Sequence, residues 1–117
     1  MDQLVALNQS SITLPHGESE LDHIDIQLTS FEGARLPRIS SCPLAYACKR
    51  HEIQEIGNSH QALIFGEVTN IYIDDSMYEK NESGRLKVDA KQVNPVLRLG
   101  AGEYGTLGEV ISMKRPA

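Results

Sequence analysis

The strongest pattern in the chain lies between Gln61 and Asp74. Ala62, Leu63, Ile64 and Phe65 are apolar at successive positions, and Val68, Ile71, Tyr72 and Ile73 follow. An unbroken apolar run of this length predicts a strand that is covered on both faces. Gly66 interrupts it, and a glycine inside a strand marks a bulge or a close approach of backbone. Upstream, Leu44 to Ile56 predicts a second strand, closed by the turn signal Gly57-Asn58. Ile24, Ile26 and Leu28 alternate with Asp25, Gln27 and Thr29, the period-two signature of a half-buried strand. Pro37 and Pro43 bracket a short extended piece around Ile39. Near the end, Pro95 to Leu99 reads as extended, Gly100 to Gly108 as glycine-rich, and Leu107 to Met113 as a final strand.

Helical signals are weak. Leu4, Val5 and Leu7 can line one face of a helix over residues 1 to 7. Ser19 and Asp22 stand at capping-box-like spacing before a short turn ending at Ile24. Val88 to Val93 predicts one further turn. Ser10 to Gly17 reads as loop, and the polar stretch 74 to 84 as a mobile loop. Strands joined by short turns with little helix predict a barrel or a sandwich.

The chain has 117 residues, enough for a single domain spanning residues 1 to 117. It has two Phe, four Tyr and no Trp, so its core depends on Ile, Val and Leu. Such a core is thin, because small domains bury a small share of their surface, and a partner subunit is expected on this ground alone. The net charge of -5 argues against nucleic acid as a partner, which needs a concentrated positive surface. No apolar run approaches the roughly 20 residues that cross a bilayer. Met1-Asp2-Gln3 has no basic, apolar leader character, and a cytoplasmic setting is expected.

Cys42 and Cys48 fall six positions apart in one extended segment. At about 3.3 Å per residue that separates them by roughly 20 Å, far beyond the ~7 Å limit for a disulfide. Two reduced thiols acting as small buried hydrophobes are expected. His16, His23, His51 and His60 show no metal-ligand spacing, so no metal is expected. Gly100-Ala101-Gly102-Glu103-Tyr104-Gly105 matches the dinucleotide pattern G-x-G-x-x-G. That fingerprint requires a following helix and a distant acidic residue. Only twelve residues follow Gly105, and they are rich in β-branched and glycine residues, so a tight turn is the better reading. Arg98 interrupts the apolar stretch Val96-Leu97-Arg98-Leu99 beside this turn, which makes it the strongest single candidate for an anion contact.

The order of motifs is similar to that of a known family. Ser19-Glu20-Leu21 comes first, then Leu36-Pro37-Arg38-Ile39, Ser41-Cys42-Pro43 and Ala47-Cys48. Gly57-Asn58-Ser59-His60 leads into Leu63-Ile64-Phe65-Gly66-Glu67-Val68. Asn94-Pro95-Val96-Leu97-Arg98-Leu99-Gly100 and Tyr104 follow, and Lys114-Arg115-Pro116 closes the series. Over residues 3 to 116 the chain resembles the C-terminal part of the flavin reductase-like family, the FMN-binding split-barrel flavoproteins.

The resemblance implies a mainly β fold, a six-stranded Greek-key split barrel here lacking its N-terminal strands, on the order of 80 residues. It implies FMN at or near a subunit interface, and hydride transfer between NADH or NADPH and flavin, or a held FMN acting on a small substrate. It also implies a homodimer or higher oligomer, with strand exchange as one route, because open edges invite pairing. The positions it brings nearest the flavin or the dimer seam are His16, Glu20, Arg98 and Tyr104, with His60 as the catalytic candidate. Gln61 lies five residues before Gly66 and His60 six; family reductases place a histidine at the nearer of these two. A bulge restores His60, or Gln61 takes the position, or the role is absent. The rival reading is a β-domain remnant that oligomerises and has lost its cofactor.

Overall fold

The computed structural model describes residues 2–117. Its centre is one long antiparallel ribbon, β3 (Leu44–Glu55) paired with β4 (Ala62–Ile73). The turn between them carries Gly57 at φ 63, the left-handed conformation that glycine adopts without strain. Three smaller antiparallel ribbons accompany it: β1 (Leu28–Thr29) with β2 (Arg38–Ile39), β5 (Tyr78–Lys80) with β6 (Leu86–Val88), and β7 (Leu97–Gly100) with β8 (Glu103–Gly105). Two helices, α1 (Asp2–Gln9) and α2 (Ala90–Val93), and two 3-10 turns, Glu20–Asp22 and Asp75–Met77, complete the order. Among the described residues no ribbon pairs with another, so the sheet does not close.

The register of the long ribbon slips twice. One extra residue, Thr69, is accommodated in β4 between the Ala47 and Cys48 pairings, and its hydroxyl donates to the Ala47 carbonyl at 3.1 Å. The second slip puts an extra residue, His51, into β3 beside the Arg50–Gly66 pair. Gly66 therefore marks both a bulge and a close approach. A Cβ there would stand 3.1 Å from the Cys48 Cβ. Such bulges bend and twist a ribbon, as barrel walls require.

A second close approach holds the loop before β2 against the ribbon. Gly33 has φ 76, and a Cβ on it would come within 2.6 Å of the Asn70 amide nitrogen. Any other residue here would displace the Asn70 side chain and be strained by the left-handed backbone. Phe31, 9% exposed, is buried there, and Ala6 in α1, 6% exposed, is the other buried apolar residue. Gln3 ties α1 to the segment between β2 and β3 by donating to the Ser41 carbonyl at 2.7 Å.

Several expectations need correction. The alternation holds only over 24–27, with Ile24 and Ile26 half-buried and Asp25 and Gln27 exposed; it inverts at Leu28–Thr29, the one part that pairs as strand, where Leu28 is exposed and Thr29 half-buried. The stretch 74 to 84 is ordered structure. The Asp74 side chain caps the 3-10 turn by accepting from the Ser76 amide, and Asn81 Oδ1 accepts from the Ser83 and Arg85 amides to close the β5–β6 hairpin. The turn near Val88 is α2, started by Asp89, which accepts from the Lys91 and Gln92 amides, and stopped by Asn94 in the left-handed region. Residues 107 to 113 do not form a strand: they pair with no strand among the described residues, and Ile111 and Met113 are 77% and 87% exposed. The thiols are free, but Cys42 is half-buried and Cys48 exposed, where both were expected buried.

No helix is long and apolar enough to cross a membrane among the described residues. Large apolar side chains lie exposed along the whole ribbon, among them Tyr46, Ile53, Leu63, Ile64, Phe65, Val68 and Ile71. The accessible surface is 10489 Å², against about 6,300 Å² for a compact protein of this mass. The radius of gyration is 17.3 Å, where a compact chain of this length gives about 13 Å.

Candidate functional site

The glycine-rich motif is a hairpin. Gly100 and Gly102 have φ 105 and 79, Ala101 lies between them at φ 46, and the chain reverses from β7 into β8. No helix follows Gly105, so the motif is a turn and not the start of a dinucleotide-binding helix. The hairpin brings two of the sequence-derived site residues together. Arg98 pairs with Tyr104 in register, and its guanidinium stands over the ring, 4.9 Å from the centroid. The Tyr104 hydroxyl donates to Asn8 Oδ1 at 3.0 Å, which ties the hairpin to α1. Tyr104 is half-buried and faces a small cavity of about 250 Å³ shared with Leu4 and Val96.

Glu20 opens the first 3-10 turn and borders an apolar cavity of about 470 Å³ between α1, that turn and β2. Val96 lines this cavity as well, so Glu20 and Tyr104 border adjoining spaces. His16 lies in the exposed turn before Gly17, and His60 in the exposed turn between β3 and β4. His23 stands 3.7 Å from Glu18 and takes no part in these cavities. The structure thus gathers Arg98 and Tyr104, sets Glu20 next to them, and leaves His16 and His60 on separate turns.

A further cavity, about 550 Å³, lies elsewhere, under the loop that Gly33 presses onto the ribbon. Phe31, Leu36, Pro37 and Tyr46 give it apolar walls, and Arg35 and Lys49 supply two positive charges. Neither cation is ion-paired among the described residues. A volume of this size falls in the usual range for small-molecule sites. Apolar walls with convergent cations suit a planar ligand that carries an anionic group. Nothing in the local sequence pattern joins Arg35 to Lys49; the fold brings both to the border of this cavity.

One carboxyl and one phenol group have altered acidity. Asp74 is held below the usual carboxylate range by hydrogen bonds from the Ser76 hydroxyl and amide, with Arg38 adding attraction. Tyr78 is raised above the usual phenol value because its hydroxyl donates to Asp75. Both groups are tied up in turns, and neither faces a cavity described above.

No family model matches the chain. It is 29% identical over 115 residues to an uncharacterized protein of Halalkalibacterium halodurans, a match spanning 95% of this chain and 53% of that protein. Among solved structures, nitrilotriacetate monooxygenase component B from Bacillus cereus superposes with a TM-score of 0.79 at 23% identity, over 96% of this chain and 55% of that one. A split-barrel protein from Shewanella frigidimarina assigned as a flavin reductase gives 0.77 at 20% identity, again over 96% and 55%. The 2-nitrobenzoate 2-nitroreductase of Pseudomonas fluorescens gives 0.65 at 28% identity, over 84% and 48%.

The chain therefore has the mainly β fold of part of a flavin reductase split barrel. It spans about half the length of the relative and of the structures it matches, in keeping with the partial barrel that the motif order implied.

Proposed function

We propose that this chain forms part of a flavin-dependent oxidoreductase that holds FMN. The observation that carries the reading is the superposition of 96% of the chain on a split barrel assigned as a flavin reductase, together with a cavity whose residues fit such a ligand. Arg35 and Lys49 would hold the phosphate, since both cations are unpaired and border one space. Phe31, Pro37 and Tyr46 would flank the ring system. Flavin, when bound, supplies hydride transfer at its ring, with NADH or NADPH or a small organic substrate as the other party. The chain's own contribution is positioning and a positive field for the charge that reduction adds.

A second anchor is favoured by one observation. Arg98 is stacked on Tyr104 beside a turn whose glycines leave open space around their Cα atoms. An assembled oligomer, rather than the lone chain, is the working form, given the apolar surface left open.

The test is a thermal melt with and without saturating FMN, on protein of known assembly mass. A ligand held only by the folded state raises stability, by about 2.7 kcal/mol at a hundredfold excess over Kd. A rise of several degrees, followed by FMN-dependent NADH or NADPH oxidation, supports the proposal. A stable oligomer with no shift overturns it in favour of an associating β-domain without a cofactor.

A further inference from the structure

The cavity of about 470 Å³ beside Glu20 shares no lining residue with the one bordered by Arg35 and Lys49. Ala6, Ile24, Ile26 and Ile39 give it an aliphatic wall. Side-chain bonds hold that wall in place. Gln3 fixes one end of α1 by donating to the Ser41 carbonyl at 2.7 Å and its hydroxyl at 3.3 Å, and the Tyr104 hydroxyl fixes the other by donating to Asn8 Oδ1 at 3.0 Å. A space of this volume exceeds a packing void and falls in the range of small-molecule sites. Its polar groups are one-sided. The Gln3 amide hydrogens are spent on Ser41, and the Ser10 hydroxyl donates to the Leu7 carbonyl. The lining side chains are left with acceptors, namely the Glu20 carboxylate, Gln3 Oε1 and the Ser10 oxygen, and Cys42 adds only a weak thiol donor. Among the described residues Glu20 has no ion-pair partner, and no lysine or arginine lines the cavity.

We propose that this cavity binds a small organic amine, an aryl or alkyl body that carries one ammonium group. The body displaces water from Ala6 and the three isoleucines, which is the main source of affinity. An ammonium group has three donors and no acceptor, so it matches a lining that accepts and has no strong free side-chain donor. The charge on Glu20 completes the match, and Asp22 and Asp25 follow it closely in the chain. A carboxylate or a phosphate meets neither a cation nor a strong side-chain donor here. A neutral alcohol fits the walls but leaves the Glu20 charge without a counterpart. The site therefore selects by charge as well as by shape, and it selects in the opposite sense to the cavity of Arg35 and Lys49. It requires no flavin and is independent of the proposed function.

The probes are phenylbutylamine, phenylbutanol and phenylbutyrate, which share a body and differ in charge. Their binding to the protein is measured by calorimetry at neutral pH, where the amine is protonated. The two free thiols report which cavity is filled, because Cys42 lines this one and Cys48 the other. The amine should bind about threefold more tightly than the alcohol, as one exposed charge contact provides, and the carboxylate should show no saturable binding. Glu20→Gln, a change at an exposed position, should keep the fold and bring the amine to the affinity of the alcohol. Saturating amine should slow the alkylation of Cys42 by iodoacetamide, read by mass spectrometry, and leave the Cys48 rate as it was. Failure of the amine to bind overturns the proposal, as does equal binding of amine and carboxylate, or a Cys42 rate that the amine does not change. A Cys42 that is unreactive before any amine is added also overturns it, because protein then fills the cavity. FMN used in place of the amine tests the Cys48 cavity alone, so the proposed function and this site can fail separately.

Discussion

The guanidinium of Arg38 lies over the ring of Tyr72, 3.5 Å from its centroid, and its Nη1 is buried without a hydrogen-bond partner. This stack joins β2 to the end of the long ribbon away from its turn, two elements with no backbone pairing between them among the described residues. It also places a positive charge near Asp74, at the end of the same ribbon.

Removing either half of the stack should loosen β2 from the ribbon. A partly desolvated guanidinium on a ring is worth about 1–2 kcal/mol, and Arg38→Ala should cost about that much in urea unfolding. Arg38→Lys should recover less than half, because an ammonium cannot lie flat on the ring. In a double-mutant cycle with Tyr72→Leu the two losses should be less than additive. Full additivity would show that the residues act independently.

Gly66→Ala tests the close approach at the second bulge. The new methyl would stand 3.1 Å from the Cys48 Cβ, so close that the paired strand must give by a few tenths of an ångström, and a cost of about 1–3 kcal/mol is expected. Cys48→Gly in the same chain removes the facing Cβ and should return part of the loss. A Gly66→Ala protein with an unchanged melting temperature would mean that the ribbon opens there freely.

The turn after β4 should be sensitive to acid. Asp74 has its acidity strengthened by the Ser76 hydrogen bonds. A carboxyl with a depressed folded-state pKa stabilises the fold above the unfolded value and loses that contribution as pH falls through the folded one. The Ser76 amide should therefore keep its hydrogen-bonded chemical shift through neutral pH and lose it only below the ordinary carboxylate range. Asp74→Ala should remove the titration entirely. A Ser76 shift that moves at the usual aspartate midpoint would count against the cap.

The sequence made the long ribbon legible because its signals are local: two strong runs, a Gly-Asn turn between them, and a glycine at the bulge. Both strands were placed to within a residue at each end. The β5–β6 hairpin was missed because its signal is side-chain chemistry, not periodicity. Asn81 accepts from two amides and the Ser83 hydroxyl, and such side-chain turns look like loop to a hydropathy reading. Residues 107 to 113 failed for the opposite reason. Their pattern suits a strand, but a strand needs a neighbour, and none of the described residues provides one. In the candidate site, Arg98 and Tyr104 could be paired because a short glycine turn separates them. Arg35 and Lys49 could not, since only the fold brings them to the border of one cavity.

That last distinction can be decided by FMN binding. Charge-assisted contacts to a phosphate contribute about 1.5–3 kcal/mol each, so losing one weakens binding by at least tenfold. If the 550 Å³ cavity holds the phosphate, Arg35→Ala and Lys49→Ala should each raise the Kd for FMN by that factor. The double variant should abolish the FMN-induced rise in melting temperature. Both side chains leave open surface without an ion pair, so the melting temperature without FMN should hold within a degree or two. Arg98→Ala provides the contrast. It removes the cation over Tyr104 but leaves the hydroxyl bound to Asn8, and the hairpin should persist. A larger loss of FMN affinity in Arg98→Ala than in the Arg35 and Lys49 variants would move the phosphate to the β7–β8 turn. Equal affinity in all three would remove both anchors and, with them, the flavin site from this chain.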